Sequence, residues 1–102
     1  MQDRFKIAQE FAKKIKSDDI KLIILFGSVA RGEDKTESDI DILIVSPNVN
    51  KIESHIDDEV VNIILNKNEF ISAHLMTENH FNKTKNYPFL TNVLNEGVIL
   101  AQ

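Results

Sequence analysis

The stretch Leu22-Ile23-Ile24-Leu25-Phe26-Gly27-Ser28-Val29-Ala30-Arg31-Gly32, followed after a polar run by Ser38-Asp39-Ile40-Asp41-Ile42-Leu43-Ile44-Val45, decides the fold. Leu22 to Phe26 is a continuous apolar run of strand length, suited to a strand buried on both faces. Gly27-Ser28 ends it abruptly, and Glu33 to Ser38 is polar and reads as a loop. Ile40 to Val45 is a second strand, closed by Ser46-Pro47-Asn48. In a strand, residues i and i+2 point to one face, about 6.5–7 Å apart. Asp39 and Asp41 therefore project together, while Ile40, Ile42 and Ile44 face the opposite way into a core.

Two carboxylates side by side repel unless a cation lies between them. Mg²⁺ suits that position, because it takes oxygen ligands from one or two carboxylates and completes its shell with phosphate oxygens. A pair of such metals roughly 3.5–4 Å apart would clamp the attacking and leaving oxygens of an in-line displacement. Gly27 lets the backbone turn sharply and approach a ligand closely. If a helical turn starts near Ser28, its free N–H groups form an anion site. The Ser28 hydroxyl can donate to a phosphate oxygen, and Arg31 follows one turn later. A phosphate cradle beside a metal-binding strand is what phosphoryl or nucleotidyl transfer requires.

Working outward, Arg4 to Lys16 reads as an amphipathic helix, with Phe5, Ala8, Phe11, Ala12 and Ile15 at helical spacing. A second helix spans about Asn50 to Lys67, with Ile52, Ile56, Val60, Ile63 and Ile64 as its apolar stripe. Ile71 to Met76 reads as a third strand. Thr77 is placed to N-cap a short helix containing Phe81. Pro88 to Glu96 reads as a further helix, with Pro88 in its first turn and Gly97 as a left-handed cap, before a last strand at Val98 to Ala101. The order α-β-α-β-α-β-α-α-β predicts an α/β (α+β) layer of helices packed on a sheet.

The chain has 102 residues, which favours one domain over 1–102. Its net charge of −4 argues against direct nucleic-acid binding, which needs a basic face. A small anionic ligand stays open, because a metal supplies positive charge locally. The absence of cysteine excludes disulfides, zinc thiolates and cysteine nucleophiles. Met1 to Glu10 lacks the continuous apolar segment of a signal peptide, and no run is long enough to span a bilayer, so a cytoplasmic location is the expectation.

Gly27-Ser28, ten residues from Val29 to Ser38, then Asp39-Ile40-Asp41 resembles the signature of the DNA-polymerase-β-like nucleotidyltransferase superfamily, and of its minimal nucleotidyltransferases above all. Four fixed positions recur by chance about once in 10⁵ starting points at ordinary residue frequencies. The resemblance implies a nucleotidyltransferase fold with a mixed sheet of about four strands and helices packed on it. It implies ATP or another nucleoside triphosphate with Mg²⁺ as substrate. It implies Gly27, Ser28, Arg31 and Ser38 on the nucleotide and Asp39 and Asp41 on the metal. Many small members are antitoxins paired with a HEPN ribonuclease toxin, and some transfer AMP to a tyrosine of it. Such a partner would here be a separate protein.

The superfamily usually carries a third carboxylate on a later strand, but Ile71-Ser72-Ala73-His74-Leu75-Met76 holds no Asp or Glu. Three readings stay open. His74 replaces the carboxylate as general base, for which a histidine pKa near 6.5 is suitable. Alternatively the acid comes from Glu69 or from a partner, or the domain binds nucleotide with little or no catalysis and neutralises its partner sterically. Tyr87, the single tyrosine, reads more readily as a packed loop aromatic than as a self-modification target. Phe89, Leu90, Val93 and Leu94 read most simply as core, although the apolar segment Phe89 to Leu100 suits an interface between copies as well.

Overall fold

A computed structural model describes residues 3–102; Met1 and Gln2, included in the N-terminal reading above, lie outside the described residues. Nine elements follow in order: α1 (Arg4–Ile15), β1 (Leu22–Phe26), α2 (Gly27–Arg31), β2 (Ile40–Ser46), α3 (Val49–Lys67), β3 (Ile71–Thr77), α4 (Glu78–Thr84), α5 (Pro88–Glu96) and β4 (Val98–Ala101). The four strands form one sheet in the order β3-β2-β1-β4. β1 runs antiparallel to both β2 and β4, whereas β2 and β3 are parallel through the α3 crossover. The mixed sheet with helices agrees with the expected nucleotidyltransferase fold.

The caps explain where the helices begin. Asp3 accepts from the Lys6 amide at 3.1 Å and opens α1, and Thr77 accepts from the His80 amide at 3.1 Å and opens α4. Lys13 and Lys14 lie in the last turn of α1, where cations suit the helix dipole.

The sheet is buried on both sides. On one face Ile23, Leu25, Ile40, Ile42 and Ile44 pack with Ile7, Phe11 and Ile15 of α1 and Ile52, Ile56 and Ile63 of α3. On the other, Ile24, Leu43 and Val45 pack with Leu90 and Val93 of α5. Each fully buried Ile or Leu contributes about 1.5–3 kcal/mol of transfer free energy. The alternation in β2 is therefore strongly fixed, since a one-residue slip would swap Ile40 and Ile42 with Asp39 and Asp41.

Three readings need correction. Gly97 ends α5 at φ −76°, ψ 162°, in extended rather than left-handed backbone, while its N–H still bonds Val93 O at 2.8 Å. Glycine is required there for space: a Cβ would meet Ile24 Cγ2 and Val93 O at 2.5 Å. Tyr87 is 62% exposed instead of packed. In the C-terminal segment Leu90 and Val93 are core, while Phe89, Leu94 and Ile99 remain exposed.

Candidate active site

β1 and β2 place Phe26 opposite Asp41 at the point where β1 turns into α2. Gly27 makes that turn at φ 76°, in the left-handed region that favours glycine. A Cβ there would lie 2.4 Å from Asp41 Oδ2. The Asp41 carboxylate thus fills the space a side chain at position 27 would need. It stands beside the first turn of α2, whose leading amides have no intrahelical acceptors. The next residue, Ser28, is half-buried, and its hydroxyl has no protein partner among the described residues.

Asp39 is exposed and lies one residue before β2, so its carboxylate stands at the mouth of the site. Burial pushes the Asp41 carboxyl above the ordinary aspartate range; His74 pulls it down, Asp39 adds to the rise, and Arg31 opposes it. The two aspartates therefore interact electrostatically, as strand alternation requires.

β3 supplies the third side. Ser72 pairs with Asp41 in register and His74 with Leu43. His74 Nε2 is 3.7 Å from Asp41 Oδ1 and 3.3 Å from Ser72 Oγ. The position read as equivalent to the usual third carboxylate thus brings an imidazole to Asp41.

Two other candidates are engaged elsewhere. Arg31 Nε donates to Glu33 at 2.8 Å and its Nη1 to Glu96 at 3.2 Å, and these bonds hold its guanidinium above the ordinary range. Ser38 Oγ accepts from the Lys35 amide at 2.9 Å and shapes the loop that enters β2.

Glu69 does not reach in as a catalytic acid. It is buried and grips Arg4 Nε with both oxygens, at 2.8 and 3.1 Å. The same guanidinium donates to Asp34 Oδ2 at 3.2 Å and to the carbonyls of Lys35 and Thr36. This buried arginine ties α1, the loop before Asp39 and the start of β3 together. The helical periodicity of α1 gave no warning of it, because a charged residue in a first helical turn ordinarily faces solvent.

Among the described residues, no group of three or more His, Asp and Glu converges tightly enough to hold a metal alone. Two carboxylates are sufficient for Mg²⁺ when a phosphate completes the shell.

The model of the nucleotidyltransferase domain family matches residues 6–96 of this chain. The chain belongs to the nucleotidyltransferase domain family. A relative from Methanocaldococcus jannaschii that carries the name "putative protein adenylyltransferase" is 42% identical over 98 residues, covering 93% of this nucleotidyltransferase and 95% of that protein. A toxin–antitoxin crystallised with AMP-PNP shares the fold at a TM-score of 0.59, with 16% identity, over 99% of this chain and 73% of that one. A mutant of the toxin–antitoxin MntA–HpeT gives a TM-score of 0.59 at 14% identity, with the same coverage. No described helix of this nucleotidyltransferase is long and apolar enough to cross a membrane.

Proposed function

We propose that this nucleotidyltransferase transfers AMP from Mg·ATP to a hydroxyl of a separate partner protein, as the antitoxin of a HEPN-type toxin. The observation that carries the reading is the contact between Gly27 and Asp41: a carboxylate occupying the space of an absent Cβ, beside an open helical turn and a second aspartate. The donor set fits Mg²⁺, because Asp41 and Asp39 are adjacent like charges and a hard divalent ion relieves both. When bound, the ion would neutralise phosphate oxygens and lower the barrier to displacement. The name of the M. jannaschii relative and the toxin–antitoxin fold neighbours support a protein acceptor.

The residues then divide the work. Asp39 and Asp41 hold the metal. Gly27 permits the close approach, and Ser28 donates to a phosphate oxygen. Arg31 exchanges its exposed carboxylate partners for the β- and γ-phosphates. Ser38 acts on the nucleotide only through the loop it shapes. His74 accepts the proton of the acceptor hydroxyl as its oxygen bonds the α-phosphorus and the bond from that phosphorus to the bridging oxygen breaks, releasing pyrophosphate.

A second reading has one observation in its favour. β3 presents Ser72 and His74 to the site but no carboxylate, and Glu69 is committed to Arg4. A nucleotide-binding module that neutralises its partner sterically is consistent with that. Intact mass spectrometry of this protein and its co-purified partner, after incubation with ATP and Mg²⁺, separates the two. The first reading expects a partner mass raised by AMP units, lost in Asp39→Ala/Asp41→Ala and strongly reduced in His74→Ala. An unchanged partner mass, with neutralisation intact in the double variant, would establish the steric reading instead.

A further inference from the structure

The open face beside Asp41 carries an aromatic cluster to which the transfer reading assigns no role beyond His74. Phe26 and Phe89 meet at 89° with centroids 5.7 Å apart, and His74 lies 5.2 Å from Phe26 and 6.4 Å from Phe89. The edge-on contact is a favourable arrangement for aromatic pairs, so Phe26 braces Phe89. Phe26 packs against the second core cluster through its partly buried ring and is fixed from below. Phe89 is 49% exposed, which is unusual for a large apolar ring at the first turn of a helix whose next residue is buried.

The cluster is continuous with the phosphate cradle. A cavity of about 380 Å³ is lined by Phe26 and Phe89 together with Gly27 and Arg31, and it extends along α5 to Asn92 and Glu96. That volume lies in the range of small-molecule sites. A larger cavity of about 490 Å³ is lined by Arg4, Glu37, Ser38, Asp39, Glu69 and Phe70, but it touches neither Gly27 nor Arg31, and Arg4 and Glu69 are paired with each other. The larger cavity sets Phe70 beside Asp39, whereas the smaller joins an aromatic pair to Gly27 and Arg31, residues proposed to hold phosphates.

We infer that Phe89, braced by Phe26 and flanked by His74, is the stacking platform for the base of the bound nucleotide. This rests on the reading of Gly27, Ser28 and Asp41 as a triphosphate and metal site. A nucleotide has two chemically different ends, an anionic chain and a flat π-surface, and this cavity offers a matching wall for each. Stacking on a half-exposed ring requires no rearrangement of the core, because Phe89 already presents its surface. It also gives a role to an exposed phenylalanine directly after Pro88, where a polar residue would serve the helix equally well. A protein acceptor is the other possible occupant of such a surface, and the test below distinguishes it.

Isothermal titration with Mg·ATP and with Mg·tripolyphosphate, which lacks the base and ribose, tests the platform. Phe89→Ala should weaken Mg·ATP binding by about fivefold to 150-fold, the range for one stacked base, and leave Mg·tripolyphosphate unchanged. Phe89→Tyr should restore Mg·ATP binding, because it keeps the ring. Unchanged Mg·ATP affinity in Phe89→Ala would overturn the inference; if AMP transfer were lost as well, the platform would belong to the acceptor. Wild-type protein that binds Mg·ATP but not Mg·tripolyphosphate, with Phe89→Ala losing the former, would uphold the platform and overturn the phosphate cradle. Wild-type protein that binds neither would overturn both.

Discussion

Arg4 and Arg31 each reach two carboxylates, in opposite surroundings. The Arg4 side chain is 4% exposed, and its partners Glu69 and Asp34 are 11% and 17% exposed. Arg31 is 40% exposed, with Glu96 at 47% and Glu33 at 63%. A desolvated charge must keep its partners, since removing one leaves an uncompensated ion in a medium that stabilises it poorly. A solvated pair gains little from remaining paired, and water or phosphate replaces either member at small cost. The first arginine is thus a fastener that holds the loop before Asp39 against β3. The second is an exposed contact at the rim of the cavity, which the proposed function makes exchangeable for an anionic ligand.

Paired substitutions would break this contrast or sharpen it. Arg4→Met should lower unfolding free energy by about 3–5 kcal/mol, measured by urea denaturation, because Glu69 is left buried without its partner. Arg31→Ala should leave stability nearly unchanged while weakening Mg·tripolyphosphate binding about tenfold. Equal losses of stability in the two variants would show that exposure does not separate the roles.

A smaller effect concerns Asp41. Burial raises its folded pKa above the unfolded value, with Asp39 adding to the rise. The folded state therefore binds that proton more tightly than the unfolded chain does. The stability so gained is fully present below the ordinary aspartate pKa of about 3.9 and is lost as pH rises through the raised value. At neutral pH the metal-free protein carries a penalty at this position. Asp41→Asn should raise the metal-free Tm at pH 7 and leave it nearly unchanged at pH 3, as read by thermal melts. A lower Tm at pH 7 would show that the carboxylate is structurally required, contrary to its placement at a ligand site.

Much of this was legible in the sequence, for identifiable reasons. The β1 run and the Asp39-Ile40-Asp41 alternation state their burial directly, because period and polarity agree. Gly27 announced a sharp turn, although that its missing Cβ is filled by Asp41 needs three dimensions. Glu69 is open to reading as a catalytic acid from the sequence, because its pairing with Arg4 spans 65 residues and no local pattern marks it. Gly97 reads as a left-handed cap because that is the commonest reason for glycine after a helix; here the reason is close packing against Ile24. Phe89 reads most simply as core because an apolar residue in an amphipathic segment usually is, and only its exposure beside Phe26 and His74 points elsewhere.

The central claim is that Gly27, Ser28, Asp39 and Asp41 form one metal-dependent triphosphate site. Titration of Mg·ATP against wild-type protein, Asp39→Asn/Asp41→Asn and wild-type protein with excess chelator tests it most directly. The account predicts saturable binding by the wild type only, with both controls weakened by about 10²-fold or more and the variant still folded. Equal binding in all three would contradict it, and would mean that the carboxylate pair at the start of β2 serves neither metal nor nucleotide.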